Sequence, residues 1–261
     1  MKRILITGGN GFIAKRLYEY LKNEYEITSI SRQTFDLTDS RKISEWFDGK
    51  YFDVVIHSAA VGVSRLYENS TLILDSNLQM YYNLLSHTTQ YGRFINIGSG
   101  AELFLRNTYY GLSKYVIQQS LLEKENFYNI RVFSVFDENE LDSRFIKANV
   151  TRYINRQHIE IHQNKKMDFF YIPDLLKVFK YYIEEPAPNK EFDCVYENSY
   201  YLTDVAEIIN SLSTYRVPYT IHSDTLADNY IGTYTSIGLD YVGLSRGIEV
   251  VYNKLLQNTL L

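Results

Sequence analysis

The chain opens with short apolar runs that alternate with stretches of helical periodicity. The segment from Lys2 to Thr7 has the apolar run of a buried strand, and Gly11 to Asn23 repeats apolar side chains at helical spacing. Strands rich in Ile and Val, alternating with helices, are typical of a parallel sheet covered on both faces. The pattern therefore predicts a doubly wound α/β fold. Further strands are predicted at Tyr25–Ser31, Phe52–Ser58, Arg93–Gly98 and Asn129–Val135, and further helices at Arg41–Phe47, Leu72–Tyr91 and Tyr110–Glu125.

The alternation becomes less regular after about residue 137. Thr203 and Asp204 are typical of a helix cap and mark the start of one helix in this part. We expect a dinucleotide-type domain over 1–137, with returning segments near 165–185, and a small α/β lobe over most of 138–261. In this lobe we predict helices at Leu141–Asn155, Pro173–Glu185, Leu202–Ser213 and Leu244–Gln257, and strands at Ile159–His162 and Phe169–Ile172.

The amino-acid composition limits the classes of protein to which the chain can belong. The 261 residues are 45% hydrophobic and 22% charged, which is typical of a globular protein with a full core. The net charge of −4 does not indicate the excess of Lys and Arg that nucleic-acid binding requires. No apolar stretch approaches the ~20 residues of a membrane span. The single cysteine, Cys194, cannot close an internal disulfide and favours a reducing cytoplasm. The five His residues lack the spacing of a metal site, so we expect no metal.

A glycine-containing loop joins the first predicted strand to the first helix. Gly8 permits a tight turn, Gly11 allows close approach of a pyrophosphate, and Ala14 is small enough for helix–strand packing. An ordinary strand–helix turn is the alternative, but the order of strand, loop and helix favours a dinucleotide site. This order is that of a Rossmann-type domain.

The end of the second strand indicates which dinucleotide binds. An acidic residue there binds the ribose 2′-hydroxyl of NAD, whereas an Arg accommodates the 2′-phosphate of NADP. The chain has Ser31 and Arg32 at this place, and the nearest following carboxylate, Asp36, comes four residues after Arg32. NADP(H) is therefore predicted over NAD(H), unless Arg32 is only a solvated surface residue.

Tyr110 and Lys114 stand four residues apart and share one face of a predicted helix. An ammonium beside a phenol stabilises the phenolate, so that the hydroxyl can exchange a proton with a substrate oxygen. In a chain with 25 tyrosines this spacing also arises by chance, as a surface pair. Ser99 ends the preceding strand, at the sheet edge where ligands bind, and favours the catalytic interpretation.

These motifs resemble the extended short-chain dehydrogenase/reductases of the NAD-dependent epimerase/dehydratase family. The glycine loop, His57-Ser58-Ala59-Ala60, Ser99 and Tyr110-x-x-x-Lys114 carry the resemblance. Asp168 to Asp174 is similar to the family's Asp-Phe-x-x-Val-x-Asp segment, and Tyr201 to Ala206 is similar to a helix of its second lobe. Ser31 to Arg41 and Ala59 to Gly62 resemble the GDP-fucose synthase branch, which reduces a 4-keto sugar with NADPH.

The resemblance implies a role for each matched residue. Tyr110 would donate the proton, Lys114 would bind the cofactor ribose and tune Tyr110, and Ser99 would bind the carbonyl. Arg32 would contact the 2′-phosphate, and a homodimer through the helices at Leu72–Tyr91 and Tyr110–Glu125 is expected. The remaining cofactor contacts would come from Gly8, Asn10, Gly11, Phe12, Ile13, Asp36, Leu37, Ala59, Ala60 and Val61.

Departures from the family pattern are informative. GDP-fucose synthases have a Cys and a His that epimerise the sugar, and the matching positions here are Ala101 and Arg144. Since Ala cannot carry a proton, we expect a reductase without epimerase activity. Met167 stands where the family has a diphosphate-binding Arg, with Lys165 and Lys166 beside it. Lys lacks the bidentate fork of Arg, so the diphosphate contact is either weaker or supplied elsewhere, by Arg144 or Arg152. We take Arg144 and Lys166 as the candidate substrate residues.

The sequence thus favours an NADP(H)-dependent reductase of a 4-keto deoxy sugar, nucleotide-linked, in polysaccharide biosynthesis. Two alternatives stay open. One is a nucleotide-sugar epimerase or dehydratase of the same family with tightly bound NAD(P). The other is a dinucleotide-binding regulatory protein that has lost catalysis.

Overall fold

The structure is a computed structural model that describes residues 1–62, 69–186 and 188–259. The chain forms two compact units, and each is discontinuous in sequence. The first comprises Met1–Arg131 and Phe179–Phe192, and the second comprises Val132–Val178 and Asp193–Leu261. Among the described residues, no helix has the length and apolar character of a membrane span.

The described strands are, in chain order, β1 (Arg3–Thr7), β2 (Glu26–Ile30), β3 (Phe52–His57), β4 (Tyr91–Ser99), β5 (Phe127–Val132), β6 (Val135–Phe136), β7 (Ile159–Gln163), β8 (Lys166–Met167), β9 (Phe170–Tyr171), β10 (Glu191–Cys194), β11 (Tyr200–Tyr201) and β12 (Tyr219–Ser223). The helices are α1 (Phe12–Leu21), α2 (Ser40–Phe47), α3 (Thr71–Leu85), α4 (Ala101–Phe104), α5 (Tyr109–Leu122), α6 (Phe145–Ile154), α7 (Ile172–Glu184), α8 (Leu202–Asn210) and α9 (Leu244–Thr259).

The first unit is built on a six-stranded parallel sheet with the order β10-β5-β4-β3-β1-β2. β1 pairs in parallel with β2 on one side and β3 on the other, so the strand order reverses at β1. In doubly wound sheets ligands bind at such a reversal, outside the carboxyl ends of the strands. The predicted Rossmann-type fold is confirmed, and its topology places Thr7 and His57 at the binding edge.

Continuous burial explains why the central strands read as apolar runs. Ile4, Leu5 and Ile6 of β1 are all fully buried, as is Phe94 of β4. A strand covered on both faces by helices has no polar face, so its side chains do not alternate. The core on one face of the sheet draws on β1, β3 and β4 together with α2, α3 and α5.

The second unit has its own core. Helices α6, α8 and α9 pack on one another, and β7 pairs in parallel with β12. Two further pairs are very short: β6 with β9 in parallel and β8 with β11 antiparallel. The fully buried Asp174 fixes the loop before α9, because its carboxylate accepts hydrogen bonds from the backbone N–H groups of Val242 (2.8 Å) and Gly243 (3.0 Å).

The helix predicted at Leu72–Tyr91 ends six residues early. α3 stops at Leu85, residues 88–90 form a single 3-10 turn, and Tyr91 already begins β4, paired with Phe52. Tyr91 is apolar and buried in either interpretation, so helical periodicity alone could not separate the two elements. The partner strand decides the boundary.

Other boundaries also differ from prediction. The strand predicted at Asn129–Val135 is divided into β5 and β6, and the helix predicted at Leu141–Asn155 begins only at Phe145. The cap predicted at Thr203 and Asp204 lies inside α8, which begins at Leu202. The Asp204 carboxylate reaches back to accept the N–H of Tyr201 at 2.9 Å, as the acidic member of a capping box does.

Candidate active site

The glycine loop forms a close contact between β1 and the segment after β3. Gly8 has a φ of +70°, and a Cβ there would lie 2.8 Å from both the N and Cα atoms of Ala59. Only glycine satisfies both the left-handed conformation and this approach. The Gly11 N–H then donates to the Gly8 carbonyl oxygen at 2.7 Å, which closes the loop ahead of α1.

The start of α1 fits an anionic group. The N-cap residue is Gly11, which makes no side-chain hydrogen bond, so no capping side chain competes for the N–H groups of the first turn. Ala14 is fully buried, and Asn10 and Gly11 are exposed at the loop tip. Exposed backbone N–H groups at a helix N-terminus suit the pyrophosphate of a dinucleotide.

Thr7 organises the backbone after β3. Its hydroxyl oxygen accepts the N–H groups of Ser58 and Ala59, each at 3.2 Å, and lies 2.9 Å from Nδ1 of His57. Burial lowers the pKa of His57 to about 3, and the Lys114 ammonium acts in the same direction. His57 is therefore neutral. Because the Thr7 oxygen already accepts two N–H groups, we assign the Thr7 hydroxyl as the donor and Nδ1 of His57 as the acceptor. This contact fixes Ala59 above Gly8.

Asn77 of α3 holds the next part of the same segment. Its Oδ1 accepts the Val61 N–H at 2.8 Å, and its Nδ2 donates to the Val61 carbonyl oxygen at 3.1 Å and to Ser113 Oγ at 3.0 Å. Asn77 was not among the predicted site residues. Its signal was a buried amide on the apolar face of α3, four residues after Ile73 and three before Met80.

The residues predicted to choose the cofactor lie together after β2. The Arg32 side chain is 71% exposed and forms an ion pair with Asp36, with 3.7 Å between Nε and Oδ2. Asp36 also accepts the N–H and hydroxyl of Thr38, and these contacts keep the pKa of its carboxyl below the usual value. Leu37 is buried, and its carbonyl oxygen accepts from Asn83 of α3 at 2.8 Å.

Tyr110 and Lys114 lie in the first two turns of α5. The helix is capped by Thr108, whose hydroxyl accepts the Gly111 N–H at 3.1 Å. Lys114 is 4% exposed, and its Nζ lies 5.9 Å from the centre of the Tyr110 ring. Nζ also donates to the carbonyl oxygen of Ile97 at 2.7 Å. The ammonium therefore ties α5 to β4 directly beside the phenol.

Burial sets the acidity of Lys114. It lowers the pKa of the ammonium to about 8, while the carboxylate of Glu102 acts in the opposite direction. Ser99 is the last residue of β4, and its Oγ accepts the Ala101 N–H at 3.2 Å. The Ser99 hydroxyl proton can then be donated to a carbonyl oxygen. This arrangement can bind a carbonyl group and deliver a proton to it.

The short helix α4 connects Ser99 to α5 and was not predicted. A Cβ on Gly111 would lie 2.0 Å from the carbonyl oxygen of Leu105 and 2.8 Å from that of Ala101, so α4 and its C-cap pack directly on α5. Glu102 of α4 is fully buried and was also missed. A charged residue in a four-residue helix gives no periodic signal.

The two predicted substrate residues belong to the second unit. Arg144 precedes α6, and its guanidinium contacts Ser134 Oγ (3.4 Å) and lies 3.9 Å from the buried Glu140 carboxylate. Lys166 in β8 lies over the ring of Tyr201, with Nζ 5.4 Å from its centre. Both cations thus have contacts within their own unit that a ligand would have to share or displace.

Cys194 and the possible metal ligands are not expected to belong to the site. Cys194 is fully buried, and burial raises the pKa of its thiol well above the usual value. Such a thiol is a packing residue with little reactivity. Among residues 1–62, 69–186 and 188–259, no three His, Cys, Asp or Glu side chains are grouped closely enough to bind a metal.

Solved structures of sugar-nucleotide enzymes share this fold. UDP-glucose 4-epimerase of Thermotoga maritima, solved with UDP-glucose, superposes with a TM-score of 0.82 at 17% identity, covering 99% of this chain and 100% of that one. GDP-mannoheptose C4 reductase of Campylobacter jejuni with bound NADP gives 0.80 at 13% identity, covering 97% and 98%. A GDP-L-fucose synthetase from Naegleria fowleri bound to NADP gives 0.77 at 16% identity, covering 99% and 94%.

Comparison at the level of sequence gives one match, to a family model. No curated protein sequence matches the chain. The model of the NAD dependent epimerase/dehydratase family matches residues 4–196, which include the glycine loop, Ser99, Tyr110 and Lys114. The chain therefore belongs to the NAD dependent epimerase/dehydratase family.

Proposed function

We propose that this protein is an NADP(H)-dependent reductase of a 4-keto deoxy sugar carried on a nucleotide, without epimerase activity. The observation that carries the proposal is the buried Lys114 ammonium beside Tyr110, joined to β4 next to Ser99. The proposal agrees with the reductase activity and bound NADP named for the Campylobacter jejuni structure.

Each side chain has a defined task in this reaction. A dinucleotide held by Gly8 to Ile13 and Ala59 to Val61 would supply the hydride that the carbonyl carbon accepts. Tyr110 donates its phenolic proton to the carbonyl oxygen, so that the ketone becomes a secondary alcohol. Lys114 stabilises the resulting phenolate and binds the cofactor ribose, and Ser99 donates a hydrogen bond to the same oxygen. Tyr110 then recovers its proton from solvent.

The assignment of NADP(H) depends on Arg32. The guanidinium is exposed and forms an ion pair with a partly exposed carboxylate, that of Asp36. Exposed ion pairs contribute about 0–1 kcal/mol, so a 2′-phosphate can recruit Arg32 at little cost. Asp36 and Leu37 would then line the adenine, while Gly8 to Ile13 and Ala59 to Val61 surround the pyrophosphate and ribose.

The lack of epimerase activity depends on Ala101. Epimerisation beside a ketone requires a residue that removes a proton from carbon and one that returns it. Ala101 is buried at the start of α4 and has no ionisable group. We therefore assign a single reduction step to this site, with no stereochemical inversion at the neighbouring carbons.

The same proposal divides the chain by task. The first unit binds the cofactor, and the second unit binds the sugar nucleotide with Arg144 and Lys166. The protein works as a homodimer in the cytoplasm, in the synthesis of a polysaccharide precursor.

The decisive experiment incubates the purified protein with NADPH and 4-keto-6-deoxy sugars linked to several different nucleotides. We expect oxidation of NADPH with at least one of them, and loss of this oxidation in Tyr110→Phe. Tight NADPH binding without oxidation of any substrate would contradict a reductase. Cofactor that purifies with the protein and turnover without added nucleotide would instead identify an epimerase or dehydratase.

A further inference from the structure

Ser113 stands in the sequence between Tyr110 and Lys114 and is fully buried in α5. Its hydroxyl donates to the carbonyl oxygen of Tyr110 at 2.7 Å, and its Oγ accepts from Nδ2 of Asn77 at 3.0 Å. A serine hydroxyl has a single proton, so the donation to Tyr110 leaves Oγ as an acceptor toward Asn77. The two hydrogen bonds therefore join the first turn of α5 to α3.

This order of donors and acceptors fixes the side-chain amide of Asn77. Because Ser113 Oγ accepts, Nδ2 of Asn77 must face it, and Nδ2 gives its second proton to the carbonyl oxygen of Val61 at 3.1 Å. Oδ1 then accepts the Val61 N–H at 2.8 Å. Both amide protons are used, so the amide cannot turn over without breaking its hydrogen bonds to Ser113 and Val61.

Val61 belongs to the cofactor segment, which we define as Ala59 to Val61, the residues proposed to surround the cofactor pyrophosphate and ribose. The helix α3 holds the end of this segment at two places, since Asn77 binds Val61 and Ile73 packs on the next residue, Gly62. Gly62 has a φ of +80°, and a Cβ there would lie 2.8 Å from Cδ1 of Ile73. A dinucleotide that fixes the cofactor segment would therefore also fix Asn77.

Tyr110 requires support from outside its own helix, because it lies in the first turn of α5 and helix ends fray. Two side chains hold this turn. Thr108 accepts the Gly111 N–H at 3.1 Å, and Ser113 binds the carbonyl oxygen of Tyr110. Of these two contacts, the one through Ser113 continues to the cofactor segment. The place of the phenol is thereby linked to the place of the dinucleotide.

A second pair of side chains joins the same two helices farther from Tyr110. The hydroxyl of Tyr81 in α3 donates to Ser120 Oγ in α5 at 3.1 Å. Tyr81 follows Asn77 by four residues and Ser120 follows Ser113 by seven, so the two pairs lie along one helix–helix contact. Packing of α3 on α5 is served by a serine at both places. The contacts with Val61 and Tyr110 distinguish the first pair.

We propose that Ser113 is a positioning residue that couples the cofactor segment to Tyr110 through Asn77, so that the proton donor and the dinucleotide are held in register for reduction. This inference deepens the proposed reductase function and rests on it for its catalytic meaning. We assign Ser113 no contact with the cofactor or the sugar. It acts through Asn77 and Tyr110.

The test compares Ser113→Ala with Ser120→Ala. Each removes from α5 a hydroxyl that accepts a hydrogen bond from α3, and alanine suits a helix, so both variants should fold. For NADPH-dependent reduction we expect Ser113→Ala to lower kcat about tenfold and to change the KM of the sugar by less than about twofold, because a misplaced proton donor slows the chemical step. Ser120→Ala should keep its kcat. An unchanged kcat in Ser113→Ala, or an equal loss in Ser120→Ala, would overturn the proposal.

A second measurement does not depend on the reaction. In protein labelled with ¹³C at the tyrosine Cζ atoms, the Tyr110 resonance is assigned with Tyr110→Phe. Asn77→Leu changes the neighbouring helix, and we expect it to shift this resonance when Ser113 is present but not in the Ser113→Ala background, because the two side chains act along one path. Shifts of equal size in both backgrounds would show that Asn77 affects Tyr110 without Ser113, and would reject the inference.

Dinucleotide affinity covers the case in which Asn77→Leu does not fold. Ser113→Ala leaves one Nδ2 proton of Asn77 without its acceptor, so we expect binding weaker by about threefold, measured by fluorescence with NADPH and with NADH. Ser120→Ala should bind as the unsubstituted protein does. Unchanged affinity in Ser113→Ala would reject the inference even if the reductase assignment holds. If the affinity falls but no sugar is reduced, the coupling stands and only the reductase assignment fails.

Discussion

Asn77 binds both backbone polar atoms of Val61, accepting its N–H at 2.8 Å and donating to its carbonyl oxygen at 3.1 Å. A side chain thereby takes the place of a strand partner for one residue of the predicted cofactor segment. The segment after β3 is held to α3 in this way, and the third contact, to Ser113, extends the link to α5.

Replacement of Asn77 by Leu should weaken NADPH binding about tenfold and cost about 1–3 kcal/mol of stability, because a part-buried backbone N–H is left without its acceptor. The matched control is Asn210→Leu. Asn210 binds the N–H and carbonyl oxygen of Val217 in the second unit with the same geometry, at 2.9 and 3.0 Å. Both variants should lose stability in thermal unfolding, but only Asn77→Leu should lose NADPH affinity in a fluorescence titration. Equal affinities would remove Asn77 from the site.

Tyr110→Phe should lower kcat at least a hundredfold, since general acid catalysis contributes about 10²–10⁴ in rate. NADPH affinity should change little. Tyr109→Phe is the control, because Tyr109 begins the same helix but has no Lys four residues later. A comparable loss of kcat in Tyr109→Phe would contradict the assignment of Tyr110 as the proton donor.

Lys114 should impose a pH dependence on both rate and stability. The ammonium is lost as the pH rises through about 8, so kcat should fall above that pH. Since the folded pKa lies below its ordinary value of 10.5, the folded state binds fewer protons than the unfolded state between these pH values. The free energy of unfolding should therefore rise with pH across this window.

Lys114→Met should abolish turnover without loss of stability, because it removes a buried charge and keeps the length of the side chain. A steady-state assay of NADPH oxidation measures the loss of turnover, and chemical denaturation at several pH values measures the stability. In Lys114→Met the rise in unfolding free energy between pH 8 and 10.5 should shrink relative to the unsubstituted protein. If the two curves run parallel, the Lys114 pKa is not depressed in the folded protein.

Arg32→Ala should weaken NADPH binding about 10- to 100-fold while NADH binding changes little. One hydrogen bond to a charged group contributes about 1.5–3 kcal/mol, and only NADPH carries the 2′-phosphate. Arg41→Ala serves as the control, because Arg41 is also exposed and paired with a carboxylate four residues away, Glu45. Equal losses for the two dinucleotides in Arg32→Ala would contradict the choice of NADP(H).

Comparison of Gly8→Ala with Gly49→Ala separates two effects of a Cβ atom: strain of the left-handed backbone, and a clash with the neighbouring segment. Gly8 and Gly49 have nearly the same φ, +70° and +65°, but a Cβ meets Ala59 at 2.8 Å only at Gly8 and nothing within 4 Å at Gly49. Both alanine variants should pay about 1–2 kcal/mol for the left-handed conformation. Only Gly8→Ala should also lose more than tenfold in NADPH affinity by calorimetry. An unaffected Gly8→Ala would show that the loop does not require this close approach.

The sequence predicts the first unit well where signals are local. The runs at Ile4 to Ile6 and the glycine turn at Gly8 carry their structure in consecutive residues. The end of α3 could not be predicted, because only the pairing of Tyr91 with Phe52 across the sheet shows that Tyr91 is strand. The two-residue strands of the second unit are likewise defined by partners distant in sequence.

The polar residues that support the site were harder to find. Ser99, Tyr110 and Lys114 stand in a recognisable motif, whereas Asn77 and Glu102 are single polar residues whose partners come from other elements. Their roles depend on which backbone or side chain they face. Such information is present only once the strands are ordered.

The first unit has a consequence for synthesis of the chain on the ribosome. Its parallel sheet ends at β10, and Glu191 of that strand pairs with Arg131. Forty-seven intervening residues, 132–178, belong to the second unit. When Lys114 leaves the exit tunnel, the edge strand of its sheet has not yet been translated. The predicted catalytic residues therefore emerge long before the unit that holds them can be completed, and the first segment of the second unit, 132–178, must be accommodated before then.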